Sequence, residues 1–163
     1  MKPVAANSNS SAGATTHATE GEYVTVMVAR QMFGLPIDRV HDVFIASALT
    51  GVPLAPREIV GLLNLRGRVV TAMCLRRRLG LPEAESCREM AVGLEQHGES
   101  YGLLVDQVGE VMKLSSETLE PNPVHMDPRW VRLSRGVHRL EGELLIILDV
   151  DAVLALEADA RAA

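Results

Sequence analysis

The sequence predicts a mainly β protein built from two small barrels. Three observations predict it. Short runs rich in Val, Leu and Ile are punctuated by Gly and Pro. Helical signals are few and brief. One strand-like motif occurs twice along the chain.

The runs at 23–29, 33–37, 69–75, 102–105, 108–114 and 144–150 read as strands in that order. So many short strands fit one or two small barrels better than an α/β sheet. Residues 76–79 fit a short helical turn, ended by Gly80 with Pro82 beyond, and their arginines suit a helix C-terminus. Residues 151–157 open with an acid and fit a terminal helix. Segments 116–119 and 55–63 are weaker helical candidates. Residues 1–20 are rich in Ser, Thr, Ala, Asn and Gly, cannot bury apolar surface, and are expected to form a disordered tail. Residues 158–163 are expected to fray.

The repeat is read from the chain alone. Phe33-Gly-Leu-Pro-Ile-Asp-Arg-Val-His-Asp-Val43 aligns with Tyr101-Gly-Leu-Leu-Val-Asp-Gln-Val-Gly-Glu-Val111, with five of eleven positions identical. Further on, the segment 67–79 aligns with 142–154 through a Gly, a branched apolar run and a final Leu. The offsets are 68 and 75 residues, and the order is kept. Two similar β halves are therefore expected, roughly 22–82 and 88–157. Small barrels bury little surface alone. A joint core, or a strand exchanged between halves, would help. The groove between two such barrels suits a helical or extended partner segment.

Composition narrows the function. The chain has 163 residues, 47% hydrophobic, only 3% aromatic and a net charge of −5. The core must be aliphatic, and bulk charge argues against nucleic-acid or anionic-membrane binding. No apolar run suggests a secretory signal or a membrane span, so a reducing cytosol is the expected compartment. Cys74 and Cys87 lack zinc spacing, and the five histidines lack HxH or HExxH spacing. There is no GxSxG, P-loop or GxGxxG. No catalytic residue, metal or cofactor is expected. Asp106 and Asp149 lie in apolar strands and are expected to accept backbone hydrogen bonds at turns. Cys74 reads as a buried core residue. Cys87 reads as an incidental thiol in a linker.

Segment 43–82 holds six arginines (Arg57, Arg66, Arg68, Arg76, Arg77, Arg78) against one acid, Glu58. It reads as a solvated face or as a basic surface meeting an acidic partner. No aromatics interleave it for base stacking.

Several of these motifs together resemble the CheW coupling-domain family. They are Ile59-Val-Gly-Leu-Leu-Asn-Leu-Arg-Gly67, Val40-His-Asp-Val43, Gly102-Leu-Leu-Val-Asp-Gln-Val108 and Leu148-Asp-Val150. The resemblance spans about residues 22–156. It implies two SH3-like five-stranded β-barrels with a few short helices and a C-terminal helix. It implies a non-catalytic cytoplasmic adaptor in membrane-associated chemoreceptor arrays. Its partners would be the regulatory domain of a CheA-type histidine kinase and the cytoplasmic tip of a chemoreceptor, with no nucleic acid and no direct membrane contact. By position, Val40, Gly61, Val105 and Val108 match receptor-docking residues, and Arg66 matches an arginine that pairs with a strand carboxylate, here Asp42. The kinase-docking residues are not implied. His41, if outward on its strand, would touch the receptor. Thr71 stands where the family usually has Pro, Cys74 where it has Asp, and the Gly-rich hairpin expected near 29–31 is missing. Two other classes fit parts of the sequence. One is a thiol redox sensor using Cys74, and the other a nucleic-acid-binding barrel using the arginine segment.

Overall fold

A computed structural model describes residues 20–82 and 90–156. Residues 1–19 of the expected tail, the frayed end and Cys87 lie outside the described residues, and Glu20, the last residue of that tail, opens the first strand.

The chain is mainly β, in two sheets. Strands β1 (Glu20–Val28) and β2 (Gln31–Pro36) form a hairpin, and a 3-10 turn at Ile37–Arg39 leads to β3 (Val40–Ile45). Strands β4 (Ile59–Leu65) and β5 (Arg68–Cys74) form a second hairpin, followed by helix α1 (Leu75–Arg78). Then come β6 (Met90–Gln96), β7 (Glu99–Val105), β8 (Gln107–Ser115), β9 (Leu119–Glu120), helix α2 (Pro128–Leu133), β10 (Ser134–Leu140), β11 (Glu143–Leu148) and helix α3 (Val150–Leu154).

One sheet runs β8-β1-β2-β11-β10-β9 and the other β3-β6-β7-β5-β4. Both sheets are antiparallel except at one place each, where β2 runs parallel to β11 and β5 parallel to β7. The repeat explains this likeness. With the offsets read from the sequence, β2 corresponds to β7, β3 to β8 and β5 to β11. Each sheet therefore has the same central order. Neither is made from one half of the sequence: β1 and β2 sit with β8–β11, while β3, β4 and β5 sit with β6 and β7. The chain changes sheets at the β2–β3 and β7–β8 junctions.

Alternation along the strands divides the burial. In the five-stranded sheet, Met73, Val92 and Leu103 point into the main core, while Ala72, Ala91 and Leu104 fill a second cluster on the opposite face. The main core takes Val26 and Phe33 from one sheet, Met73 and Leu103 from the other, and Leu133, Leu148 and Val153 from α2, β11 and α3. Neither sheet closes its own core, so the shared interior supplies what a barrel of this size lacks.

The tight hairpins depend on left-handed backbone. Arg66 (φ 55°) and Gly67 (φ 84°) turn β4 into β5, and the Gly67 N–H donates to Asn64 Oδ1 at 2.9 Å. At the β1–β2 turn the same conformation falls on Ala29 (φ 51°) and Arg30 (φ 69°), where a glycine-rich hairpin would be relaxed. Two-residue turns of this hand match the twist of the strands they join.

One sequence expectation is corrected here. Residues 55–63 were expected to lean towards helix, but 59–65 form β4, paired with β5 from Ile59↔Met73 to Leu65↔Arg68. Its leucines are too close to tell a buried strand from a helix by spacing, and pairing decides.

Candidate functional site

The two junctions where the chain changes sheets define the seam, and each is clasped by a helix following a parallel-paired strand. At the β7–β8 junction, Arg76 of α1 donates to Asp106 from Nε to Oδ1 (3.0 Å) and from Nη2 to Oδ2 (2.7 Å). The Ala29 N–H donates to Oδ2 at 2.9 Å, and the Asp106 N–H donates to the Met27 carbonyl at 3.0 Å. Asp106 thus ties α1, the strained β1–β2 turn and the junction together. The hydrogen bond from Arg76, aided by that from Ala29, holds its carboxyl below the usual carboxylate range against the opposing effect of burial. At the β2–β3 junction, Arg39 donates to Asp151 of α3 at 2.9 Å, and Gln96 Nε2 donates to the same oxygen at 3.1 Å. Asp151 is also held low, by Arg39 first and then Gln96.

The expected site residues fall in three places. Val40 opens β3 and Val108 lies near the start of β8, and both are half-buried against the main core. They occupy the same position in the two repeats. Both strands are outer members of their sheets, so each valine stands at an open edge beside the seam. Val105, by contrast, is 1% exposed and part of the main core, so its side chain supports the seam from beneath. Gly61 is buried in β4, where Thr50 and Leu62 exchange backbone hydrogen bonds of 2.8 and 2.7 Å. A Cβ at Gly61 would lie 2.6 Å from the Thr50 carbonyl oxygen, so the position excludes a side chain.

Asp42 and Arg66 are not brought together. No ion pair joins them. Arg66 is exposed at the tip of the β4–β5 turn, while Asp42 packs over Gly93 of β6, in the space a side chain there would need. Instead Arg68 lines a small recess with Asp42, and donates to Ser100 Oγ at 2.7 Å. On the same strand His41 is exposed, with Nε2 3.3 Å from Glu95 Oε1. The clasp at Asp106 was missed as an ion pair. The signal was present, because Arg76 lies in the helical turn that follows β5 and Asp106 is identical between the repeats as Asp38.

The remaining chemistry is structural. Asp149 accepts from the Ala152 N–H at 3.3 Å and caps α3, as a strand-end acid is expected to. Cys74 is 2% exposed at the end of β5, where a thiol packs as a small apolar group. Among the described residues, no group of three or more His, Cys, Asp or Glu side chains is placed to hold a metal ion. No helix among them is long and apolar enough to cross a membrane. What the seam offers is an apolar edge fixed by two ion-paired clasps, a surface suited to another chain.

Comparison with known proteins agrees with this architecture. The family model for the CheW-like domain matches residues 22–158. The chemotaxis protein CheW of Rhizobium meliloti (strain 1021) is 29% identical over 147 residues, covering 88% of this chain and 95% of the relative. The Bacillus subtilis (strain 168) chemotaxis protein CheW is 28% identical over 150 residues, covering 91% and 96%. The crystal structure of the scaffolding protein TtCheW from Thermoanaerobacter tengcongensis superposes with a TM-score of 0.71 at 27% identity, covering 80% of this chain and 90% of that one.

Proposed function

Because the chain belongs to the CheW-like domain family, whose members are non-catalytic chemotaxis scaffolds, we propose that it couples the cytoplasmic tips of chemoreceptors to a CheA-type histidine kinase in membrane-associated arrays. One observation carries this reading. Val40 and Val108, mates in the repeat, stand half-buried at the two open strand edges beside a seam whose core comes from both sheets. A receptor helix laid along the seam would cover both valines at once. Burying apolar area of that kind stabilises by about 25 cal/mol per Å².

Within this reading, Val40 and Val108 make the receptor contact. Val105 and Gly61 keep the strands beneath it in register. Asp42 holds β3 against Gly93, and the exposed Arg66 turns its guanidinium towards a partner carboxylate or carbonyl. The outer face of β3 carries Val43 and Ile45, 42% and 67% exposed. That edge suits the regulatory domain of the kinase, which would dock against it through apolar side chains.

The test is co-sedimentation of the chain with a receptor cytoplasmic fragment displayed on vesicles, alongside pull-down by the isolated kinase regulatory domain. Val108→Arg is expected to lose receptor sedimentation and keep kinase binding, and Ile45→Lys to do the reverse. Unchanged receptor binding by Val108→Arg, with its folding intact, would remove the seam from the contact.

A further inference from the structure

A second surface, sharing no residue with the seam site, concentrates charge opposite to that of the whole molecule. Arg57 of the β3–β4 connection, Arg77 and Arg78 of α1, and Arg129 and Arg132 of α2 line one open groove of about 820 Å³, with Glu58 the one acid among the described residues that line it. The chain as a whole carries a net charge of −5. These arginines come from three separate segments, and only folding gathers them.

The groove is built rather than incidental. Trp130 Nε1 donates to the Leu79 carbonyl at 2.9 Å and stacks at a tilt on Phe33, 5.5 Å between ring centres, which fixes α2 against α1. Arg129 is steadied by Asp127 through bonds of 2.8 and 3.2 Å, and its guanidinium lies over Gly80, where no side chain competes. Arg77 donates to the Arg57 carbonyl at 2.8 Å. Arg78 donates to the carbonyls of Ala152 and Val153, both at 2.9 Å, and fastens α3 to the groove wall. Arg57 and Arg132 reach solvent on either side.

We propose that this groove is a second docking surface, which takes a carboxylate-rich segment of a partner protein. Charge complementarity selects the occupant. The exposed Arg57 and Arg132 offer guanidinium forks that match carboxylates in a bidentate way and lose little entropy on pairing. Among the described residues no aromatic side chain lines the groove, so a nucleic acid would gain phosphate contacts without base stacking. A single inorganic anion would leave most of the volume unfilled. In an acidic molecule, a local patch of this sign also steers an acidic partner to one face.

The test is fluorescence anisotropy with a labelled twelve-residue peptide of alternating Glu and Ala, at about 20 and about 200 mM salt. The wild type is expected to bind, and more weakly at the higher salt. The pair Arg57→Glu with Arg132→Glu should weaken binding about tenfold or more. The pair Arg30→Glu with Arg135→Glu makes the same change of net charge outside the groove and should weaken it less than about twofold. Arg57→Gln with Arg132→Gln serves if charge reversal prevents folding, with the same direction expected. Val108→Arg should bind the peptide normally, which separates this surface from the receptor reading. Equal losses in the two reversed pairs, or no binding by the wild type, overturn the proposal. So does displacement of the peptide by millimolar inorganic phosphate, or tighter binding of a dT oligonucleotide than of the peptide.

Discussion

Arg76 pairs with Asp106 at one sheet-to-sheet junction, and at the other junction the repeat mate of Arg76 is Asp151, which pairs with Arg39. The helix members are repeat mates of opposite charge, and the junction members differ by one place, since the mate of Asp106 is Asp38 and Arg39 follows it. The duplicated halves have each kept an ion pair between helix and junction while exchanging the polarity of its helix member. An arginine on α1 in one half and an aspartate on α3 in the other do the same work on the backbone.

Asp106 is the more consequential of the four. Its side chain is 22% exposed and that of Arg76 14%, so their pairing is poorly screened. Asp106→Ala is expected to lower stability by about 2–3 kcal/mol, measured as the urea midpoint, because Arg76 and the Ala29 N–H lose their acceptor together. The folded carboxyl sits below its ordinary value of 3.8. A lowered carboxylate pKa contributes stability above the unfolded value, and that stability is lost as pH falls through the folded one. Wild-type stability should therefore hold above about pH 5 and decline below 4, and Asp106→Asn should flatten part of that decline. An identical acid limb in the variant would assign the decline to other carboxylates.

His138 gives a second pH response, in a different window. It is 1% exposed, with Nδ1 3.1 Å from Thr118 Oγ1 and the ring 6.0 Å from that of Tyr23. Burial pushes its pKa down, and nearby Glu120 opposes this only in part. The unfolded chain takes up this proton near pH 6.5 while the folded chain still resists it, so stability rises with pH across the interval below 6.5. The slope is at most about 1.4 kcal/mol per pH unit. His138→Phe should remove that slope in urea titrations between about pH 5 and 7. An unchanged slope would place the titration on the exposed histidines.

Arg66 allows function and stability to be separated. Its left-handed backbone is strained for any residue with a Cβ, at a cost of roughly 1 kcal/mol. Arg66→Gly should raise the urea midpoint slightly and weaken receptor co-sedimentation. Loss of stability in this variant would mean that the side chain does structural work at the turn that its exposure does not suggest.

Gly61 tests the opposite case. Gly61→Ala would press a methyl into the Thr50 carbonyl, and neither backbone can yield while their hydrogen bonds hold. A loss of about 1–3 kcal/mol is expected, with faster hydrogen exchange at the Leu62 amide. Slow exchange at Leu62 would show that the strand absorbs the methyl elsewhere.

Much of this fold was legible in the sequence, and the misses have physical causes. The repeat told that two β modules were present, because Gly34 and Gly102, Leu35 and Leu103, and Val40 and Val108 serve equal places in equal strands. It did not tell which strands share a sheet, since pairing between β2 and β11 is non-local. Strand β10 was overlooked because Ser134-Arg-Gly-Val-His-Arg-Leu140 reads as polar, yet Gly136, Val137 and His138 are all buried. Helix α2 was overlooked although Asp127 and Pro128 make a good start signal: the acid accepts from the Arg129 N–H and the proline fills the first turn. At the seam, Val40 and Val108 were legible through the repeat. The burial of Val105 and the absence of a pair between Asp42 and Arg66 depend on how side chains pack between strands, which spacing along the chain does not encode.

The lacing of early and late strands has a bearing on how this molecule is made. A ribosome that has released only the first eighty or so residues has presented β1 and β2 without β8 and β11, and β3 without β6. The five-stranded sheet waits for β7, which ends at Val105, and the six-stranded sheet and the shared core wait for β11, which ends at Leu148, so assembly is postponed until late in synthesis. Two fragments cut near residue 86 should each stay unstructured and recover the native circular dichroism spectrum only when mixed.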